Sequence, residues 1–269
     1  FVAYAHSASR QAQRRANAAL SSEMVAAIEE NRLRLFAQPV VRIGDRVPVF
    51  HEGLLRLERA DGSFAPATDF IELCEQLGLI RLIDDYTLGR TLEMLEAAPE
   101  AKLSLNVSGE TVGDAEWLSR LAAAVADRRD VASRLIVEIT ETALIRNLDE
   151  ATRFVATIHD LGAQVAIDDF GAGFSSFKHL RSLDVDMVKI AGEFVQNLPG
   201  SPDDRAFVKA LTQLAQTFGL AIVAEWVQDE ETAAILTDLG VGMIQGTLTG
   251  IAAAQLSPSP AVNAGRRTG

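Results

Sequence analysis

The stretch RLIVEITETALIRNLDEATRFVATIHDLGAQVAIDD, residues 134–169, decides the fold. It opens on an apolar, β-branched run, RLIVEI (134–139), and closes on another, QVAIDD (164–169). Between them Phe154, Val155, Ile158 and Leu161 recur at the spacing of one helical face, and Gly162 stands where such a helix would stop. Strand, helix and strand in this order predict a crossover unit with parallel strands.

The same alternation continues outward in both directions. Upstream lie LRLFAQPVV (33–41), VPVFHEGLLRL (47–57) and KLSLNV (102–107); downstream lie DMVKI (186–190), LAIVAE (220–225) and GMIQG (242–246). Phe70, Ile71, Cys74 and Leu77 mark a helical face before Gly78. Residues 203–218, after Ser201 and Pro202, place Phe207, Leu211, Leu214 and Phe218 on another. Eight strand candidates, mostly separated by helices, predict an α/β fold, and eight strands close a (β/α)8 TIM-type barrel in about 250 residues. An open doubly wound sheet is the alternative. No G-x-G-x-x-G opens a helix near the N-terminus, which argues against dinucleotide binding.

The 269 residues are 48% hydrophobic and 23% charged, ordinary values for a globular chain. A formal net charge of −12 disfavours extended nucleic acid, which needs clustered Lys and Arg. A small anion remains compatible where bound cations invert the local field. His6, His51, His159 and His179 lack zinc-ligand spacing, and the single cysteine, Cys74, leaves no disulfide framework and is expected in the core. A reducing, cytoplasmic setting follows as the expectation. No run of about 18 apolar residues is present. Residues 1–20, rich in Ala and Arg, are expected to be a linker or the tail of a preceding domain, residues 21–256 the barrel domain, and residues 257–269 a disordered tail. Phe1 in place of an initiator Met points to a fragment, so a membrane anchor in the parent chain stays open.

In such a barrel the chemistry sits at the C-terminal ends of the strands. Those ends carry Glu52, Asn106, Glu138, Asp168 with Asp169, Lys189, Glu225 and Gln245. Any one of them could be a polar residue near solvent; the whole set is a hard-oxygen ligand field without sulfur or imidazole, which selects Mg²⁺, Mn²⁺ or Ca²⁺ over zinc. Neighbouring strand side chains point to opposite faces, but Asp169, as the first loop residue, can turn back beside Asp168. One carboxylate could then bridge two cations while the other holds the second, an arrangement suited to phosphoryl displacement by water. Lys189 would neutralise a non-bridging phosphate oxygen or hold the water, and Gly171 and Gly173 give the following loop the mobility of a lid.

Read in order, the motifs are AQPV (37–40), HEGLLRL (51–57), LNVS (105–108), EITET (138–142), DDFGAGFSS (168–176), VKI (188–190), VAEWV (223–227) and QG (245–246). Over about residues 20–250 this series resembles the EAL-domain phosphodiesterases of bacterial cyclic di-GMP signalling, with Gly53 in place of the usual alanine of the signature tripeptide. The resemblance implies a barrel whose first strand runs antiparallel to the rest. It further implies Mg²⁺- or Mn²⁺-dependent hydrolysis of c-di-GMP to linear pGpG, with Ca²⁺ inhibitory. Carried over by position, Glu52, Asn106, Glu138 and Asp168 would ligate one cation, and Asp168, Asp169 and Glu225 the second. Lys189 would position the water or act as base beside Asp169 and Glu225. Gln38 and Arg56 would contact substrate, with Gln245 supporting them from behind the ligands. Glu141 would anchor the loop containing Phe170, Gly171, Ser175 and Ser176, a region tied to dimerisation, so a homodimer through the barrel mouth is expected. Upstream GGDEF or sensory domains in a bacterial parent chain are expected on the same ground.

Three departures stand out against this pattern. Ala191 occupies the position of the aspartate in the usual KID, Gln228 that of a glutamate, and Trp226 that of a glycine. QGTLTGIA (245–252) also lacks the usual aromatic and proline. Loss of one preorganised charged group costs about 10²–10³ in rate by analogy with other sites. Two readings follow: a phosphodiesterase impaired by Ala191, or a degenerate EAL module that binds c-di-GMP as a receptor without cleaving it. The retained acids favour the first and Ala191 the second. Trp226 could pack at the barrel mouth or stack on a guanine.

Overall fold

Each of the eight apolar runs forms a strand in the computed structural model, which describes residues 17–19, 21–173 and 182–256. They are β1 (Leu33–Arg42), β2 (Pro48–Glu58), β4 (Leu103–Val107), β5 (Leu135–Thr140), β6 (Gln164–Phe170), β7 (Met187–Ile190), β8 (Ala221–Ala224) and β9 (Met243–Ile244). A short ninth strand, β3 (Phe64–Pro66), adds to the outer end of β2. The strand order is β1-β9-β8-β7-β6-β5-β4-β2-β3, and the further pairing of β1 with β2 closes eight strands into a barrel. The open sheet is therefore excluded.

From β2 through β9 the barrel strands run parallel, whereas β1 is antiparallel to both β2 and β9. Connection length explains this reversal. Residues 43–47 are all that join β1 to β2, and a parallel crossover needs a dozen or more. The β1–β9 seam is thin, with Val41 opposite Ile244 and Arg42 opposite Met243, as is β8–β9, with Val223 opposite Met243 and Ala224 opposite Ile244. The β1–β9 seam is reinforced where Ala37 and Ala253 exchange backbone hydrogen bonds of 2.7 and 3.0 Å.

The core has two shells. Between strands and helices, Leu103, Leu105, Leu135 and Val137 pack with Trp117, Leu121 and Phe154. Trp117 and Phe154 stack at 5.9 Å. Inside the barrel, Val40, Phe50, Ile136, Ala166, Met187 and Val223 fill the floor. The helix Leu148–Asp160 buries Phe154, Val155 and Ile158 as its periodicity predicts, and Asn147 caps it by accepting from the Glu150 N–H. Ser201 caps the helix Pro202–Thr217 in the same way. Its buried stripe is Val208, Leu211, Thr212 and Ala215, so Phe207, Leu214 and Phe218 lie at the margin of the buried face rather than at its centre. Cys74 is buried in the helix Ile71–Gln76. The longest helix, Ile80–Ala97, carries no clean apolar stripe, because Asp84, Thr87 and Thr91 share its buried face with Ile83, Leu88 and Leu92. Among the described residues no helix is long and apolar enough to cross a membrane. Ser175, Ser176 and His179, residues 1–16 and 20, and the tail 257–269 lie outside the described residues.

Candidate active site

Strand alternation builds the site. Two residues toward the mouth from the interior side chains Phe50, Ile136, Ala166, Met187 and Val223 come Glu52, Glu138, Asp168, Lys189 and Glu225. On β1, which runs the other way, the same step leads from Val40 to Gln38; on β4 and β9 it leads from Ser104 and Met243 to Asn106 and Gln245. Each of the eight barrel strands thus delivers one polar residue to a single layer above an apolar floor.

At the centre of that layer lies Lys189, with no solvent exposure. Its Nζ is 3.0 Å from Glu52 Oε2, 2.8 Å from Glu138 Oε2, 3.1 Å from Asp168 Oδ1 and 2.7 Å from Glu225 Oε1. Asn106 Nδ2 donates to Glu52 Oε1 at 3.0 Å, and Gln245 Nε2 donates to Glu52 Oε2 at 2.7 Å and to Gln38 Oε1 at 3.1 Å. Asp169 joins from the end of β6. Its φ of 52° is left-handed, and the β6–β7 register shifts between Ile167 and Phe170, so this irregularity brings two consecutive carboxylates to one site. Phe170 is buried again and pairs with Ile190.

Five carboxylates face one ammonium here, and their proton affinities record the imbalance. Burial would depress Lys189, but Asp168, Glu138, Glu225 and Glu52 outweigh it and hold the ammonium charged well above the ordinary lysine range. Burial pushes Glu138 up to about 8, relieved in part by Lys189 and reinforced by Glu52 and Asp168. Glu225 is raised by burial and by Asp168 and Glu52, and Asp169 by partial burial and Asp168. Glu138 Oε1 is buried with no hydrogen-bond partner. Oxygens of Glu52, Glu138 and Asp168 lie within 4.8 Å of one another, as do those of Asp168, Asp169 and Glu225. Uncompensated charge, an unpartnered buried oxygen and two acidic trios sharing Asp168 fit hard divalent cations.

The remaining candidate residues fall into distinct groups. Arg56 is half-buried on β2, donates only to the Leu55 carbonyl at 2.9 Å, and has no carboxylate within ion-pair distance among the described residues. Burial lowers its pKa. Gln38 is committed to the scaffold as well as to the mouth: its Oε1 accepts from Gln245, and its Nε2 donates to the Gly250 carbonyl at 3.0 Å. Buried Glu141 accepts from the Gly171 N–H at 2.7 Å and the Gly173 N–H at 3.4 Å, so it grips the start of the loop after β6. Ala191 is buried just past β7; the alternation sets it on the inner face one step above Lys189. Gln228 is exposed.

Asp84 is a site residue that pattern reading missed. It is buried, and its Oδ2 accepts from the Ser108 N–H at 3.0 Å, the Ser108 hydroxyl at 2.7 Å and the Thr111 hydroxyl at 2.5 Å. It thereby holds the loop that follows Asn106. A carboxylate on the buried face of a helix was the available signal. Beside the ring opens a cavity of about 350 Å³, lined by Leu55, Ile71, Ile83, Asp84, Asn106 and Asp168 among others.

Comparison with known proteins adds a third kind of observation. The family model described as "EAL domain" matches residues 21–250. The chain is 30% identical over 236 residues to the cyclic di-GMP phosphodiesterase PdeF of Escherichia coli (strain K12), covering 86% of this chain and 31% of PdeF. It spans about a third or less of the curated relatives it matches first. Among solved structures, the PaMucR phosphodiesterase in complex with c-di-GMP superposes with a TM-score of 0.82 at 29% identity, over 87% of this chain and 97% of that one. The FimX EAL domain from Pseudomonas aeruginosa bound to c-di-GMP gives 0.79 at 27%, over 87% and 96%.

Proposed function

This chain belongs to the EAL domain family, and on that premise we propose that it is a divalent-cation-dependent phosphodiesterase that hydrolyses cyclic di-GMP to linear pGpG. The observation that carries the proposal is the polar layer: Lys189 within 3.1 Å of four carboxylates, and two acidic trios joined through Asp168.

In this reading Glu52, Asn106, Glu138 and Asp168 hold one cation, and Asp168, Asp169 and Glu225 the other. Because the Asn106 amide nitrogen already donates to Glu52, its carbonyl oxygen is the atom left to face a cation. Mg²⁺ or Mn²⁺ bound there would polarise the phosphoryl oxygens and acidify a water. Gln245 fixes one Glu52 oxygen and so the orientation of that carboxylate. Lys189, within 3.1 Å of four of the carboxylates, would hold the nucleophilic water or a non-bridging phosphate oxygen and stabilise charge building at phosphorus. Arg56 offers an unpaired planar fork to a phosphate. Water adds across one P–O bond and the ring opens. Through its hold on Gly171 and Gly173, Glu141 couples the loop after β6 to the site, and we place a homodimer contact and upstream signalling domains in the same reading as expectations for the parent protein.

One observation favours a second reading. Ala191 puts a methyl group beside the ring where relatives of this pattern carry an acid, and the similarity to FimX, an EAL domain solved with c-di-GMP bound, supports a receptor that holds the dinucleotide uncut. The deciding experiment incubates the chain and its Ala191→Asp variant with c-di-GMP and Mg²⁺ or Mn²⁺, and measures pGpG and binding separately. The phosphodiesterase reading expects slow pGpG from the chain and a rate higher by about 10²–10³ from the variant. Tight binding with no product from either protein supports the receptor and removes the enzyme.

A further inference from the structure

The mechanism leaves the exposed aromatic residue Trp226 unused. Trp226 follows Glu225 directly at the end of β8, and 55% of its surface is exposed. Its backbone is left-handed, with φ of 55°, a conformation that is strained for a bulky side chain. Such outliers persist where the surroundings or a function hold them.

Gly192 fixes where the indole lies. A Cβ built at Gly192 would fall 2.1 Å from Trp226 Cδ2, 2.3 Å from Cγ and 2.6 Å from Cε3, so the ring rests against the glycine backbone. Ala191 and Gly192 are consecutive small residues at the end of β7, and β7 is the parallel neighbour of β8. They form a shelf, and the absence of a larger side chain there is matched by the large ring from the next strand. The other tryptophan, Trp117, is a core residue at 1% exposure. A ring held on one side and exposed over more than half its surface is placed as a surface, not as a plug. Its sequence neighbour Glu225 pairs with Lys189 in the polar layer at 2.7 Å, so the chain that carries the indole leaves directly from that layer.

We propose that Trp226 is a base-stacking platform, on which one guanine of the cyclic dinucleotide lies while its phosphate occupies the acidic layer. The inference rests on the reading of that layer as a c-di-GMP site. Stacking of a base on an aromatic ring contributes through any π-face, so Trp226 sets affinity and the pose of the base rather than the bond-breaking step. It is an affinity-setting residue of this chain, coupled to the glycine at 192.

The test measures c-di-GMP binding with Ca²⁺ present, by calorimetry and by tryptophan emission. Trp117 is buried, so quenching by the dinucleotide reports on Trp226. Trp226→Gly removes the ring and relieves the backbone, so its fold is expected to survive; Trp117 emission and circular dichroism check this. Expected results are quenching in the parent chain, affinity weaker by about five- to 150-fold in Trp226→Gly, and near-parental affinity in Trp226→Phe. Gly192→Ala, which displaces the ring without altering it, should also weaken binding. Inorganic phosphate should bind parent and Trp226→Gly alike. A folded Trp226→Gly protein that binds c-di-GMP within about twofold of the parent overturns the platform and leaves the proposed function standing. No c-di-GMP binding by the parent chain with Mg²⁺, Mn²⁺ or Ca²⁺ overturns both.

Discussion

Lys189 is buried among more negative charge than it can neutralise, and that imbalance is what a divalent cation would relieve. Glu52 is the hub of the arrangement, since it meets Lys189, Asn106 and Gln245 at once. Glu52→Ala is therefore expected to lower cation-dependent turnover by at least about 10²–10³, measured as pGpG release, while unchanged turnover would place the cation elsewhere. Cys74 gives a residue-scale control. Burial pushes its thiol up to about 11, so alkylation at neutral pH should be slow in the folded protein and fast in urea. The acids of the ring were legible because seven strand runs end on polar residues, and hard oxygen donors dominate that set. Asp84 was not, because the three hydrogen bonds that make its burial tolerable come from Ser108 and Thr111, 24 and 27 residues away. The engagement of Gln38 with Gly250 spans 212 residues and leaves no local trace either.

At the scale of elements, the end of β6 matters most. The left-handed Asp169 interrupts the strand alternation, which turns an otherwise outward carboxylate toward Asp168 and Glu225. Glu141 then fastens the chain that follows. Glu141→Ala removes the acceptor from the Gly171 and Gly173 amides, and hydrogen exchange at Gly171 should quicken by an opening free energy lower by about 1–3 kcal/mol. Unchanged protection at Gly171 would show that Glu141 does not hold the loop. Apolar, β-branched runs and helical periodicity revealed all eight barrel strands and the helix Leu148–Asp160. They were silent on the short β3, whose three residues are too few to show a period, and on Ile80–Ala97, whose buried face is interrupted by polar side chains. The antiparallel direction of β1 came from family resemblance; its physical cause is the short link at 43–47.

The whole barrel gathers residues from position 38 to position 245 into one layer, so its stability and its charge are linked. Glu138, Glu225 and Asp169 have raised pKa values in the folded protein, so the native state keeps protons that the unfolded chain releases. Stability from these groups is fully present below the ordinary carboxyl range and is lost as pH rises through the folded values. In EDTA the melting temperature should fall between about pH 5 and pH 8, and added Mn²⁺ should restore it increasingly over that window. A flat or rising profile in EDTA would contradict the charge imbalance. Closure into a barrel followed from the count of eight strands; the reach across chain ends that seats Gln38 beside Gln245 followed only from the closed geometry. The most direct measurement is Mn²⁺ binding stoichiometry by calorimetry for the chain and for Asp168→Asn. Because Asp168 belongs to both acidic trios, the account expects two Mn²⁺ per chain in the parent and loss of both sites in the variant. Absence of Mn²⁺ binding in the parent, or unchanged stoichiometry in Asp168→Asn, would contradict it.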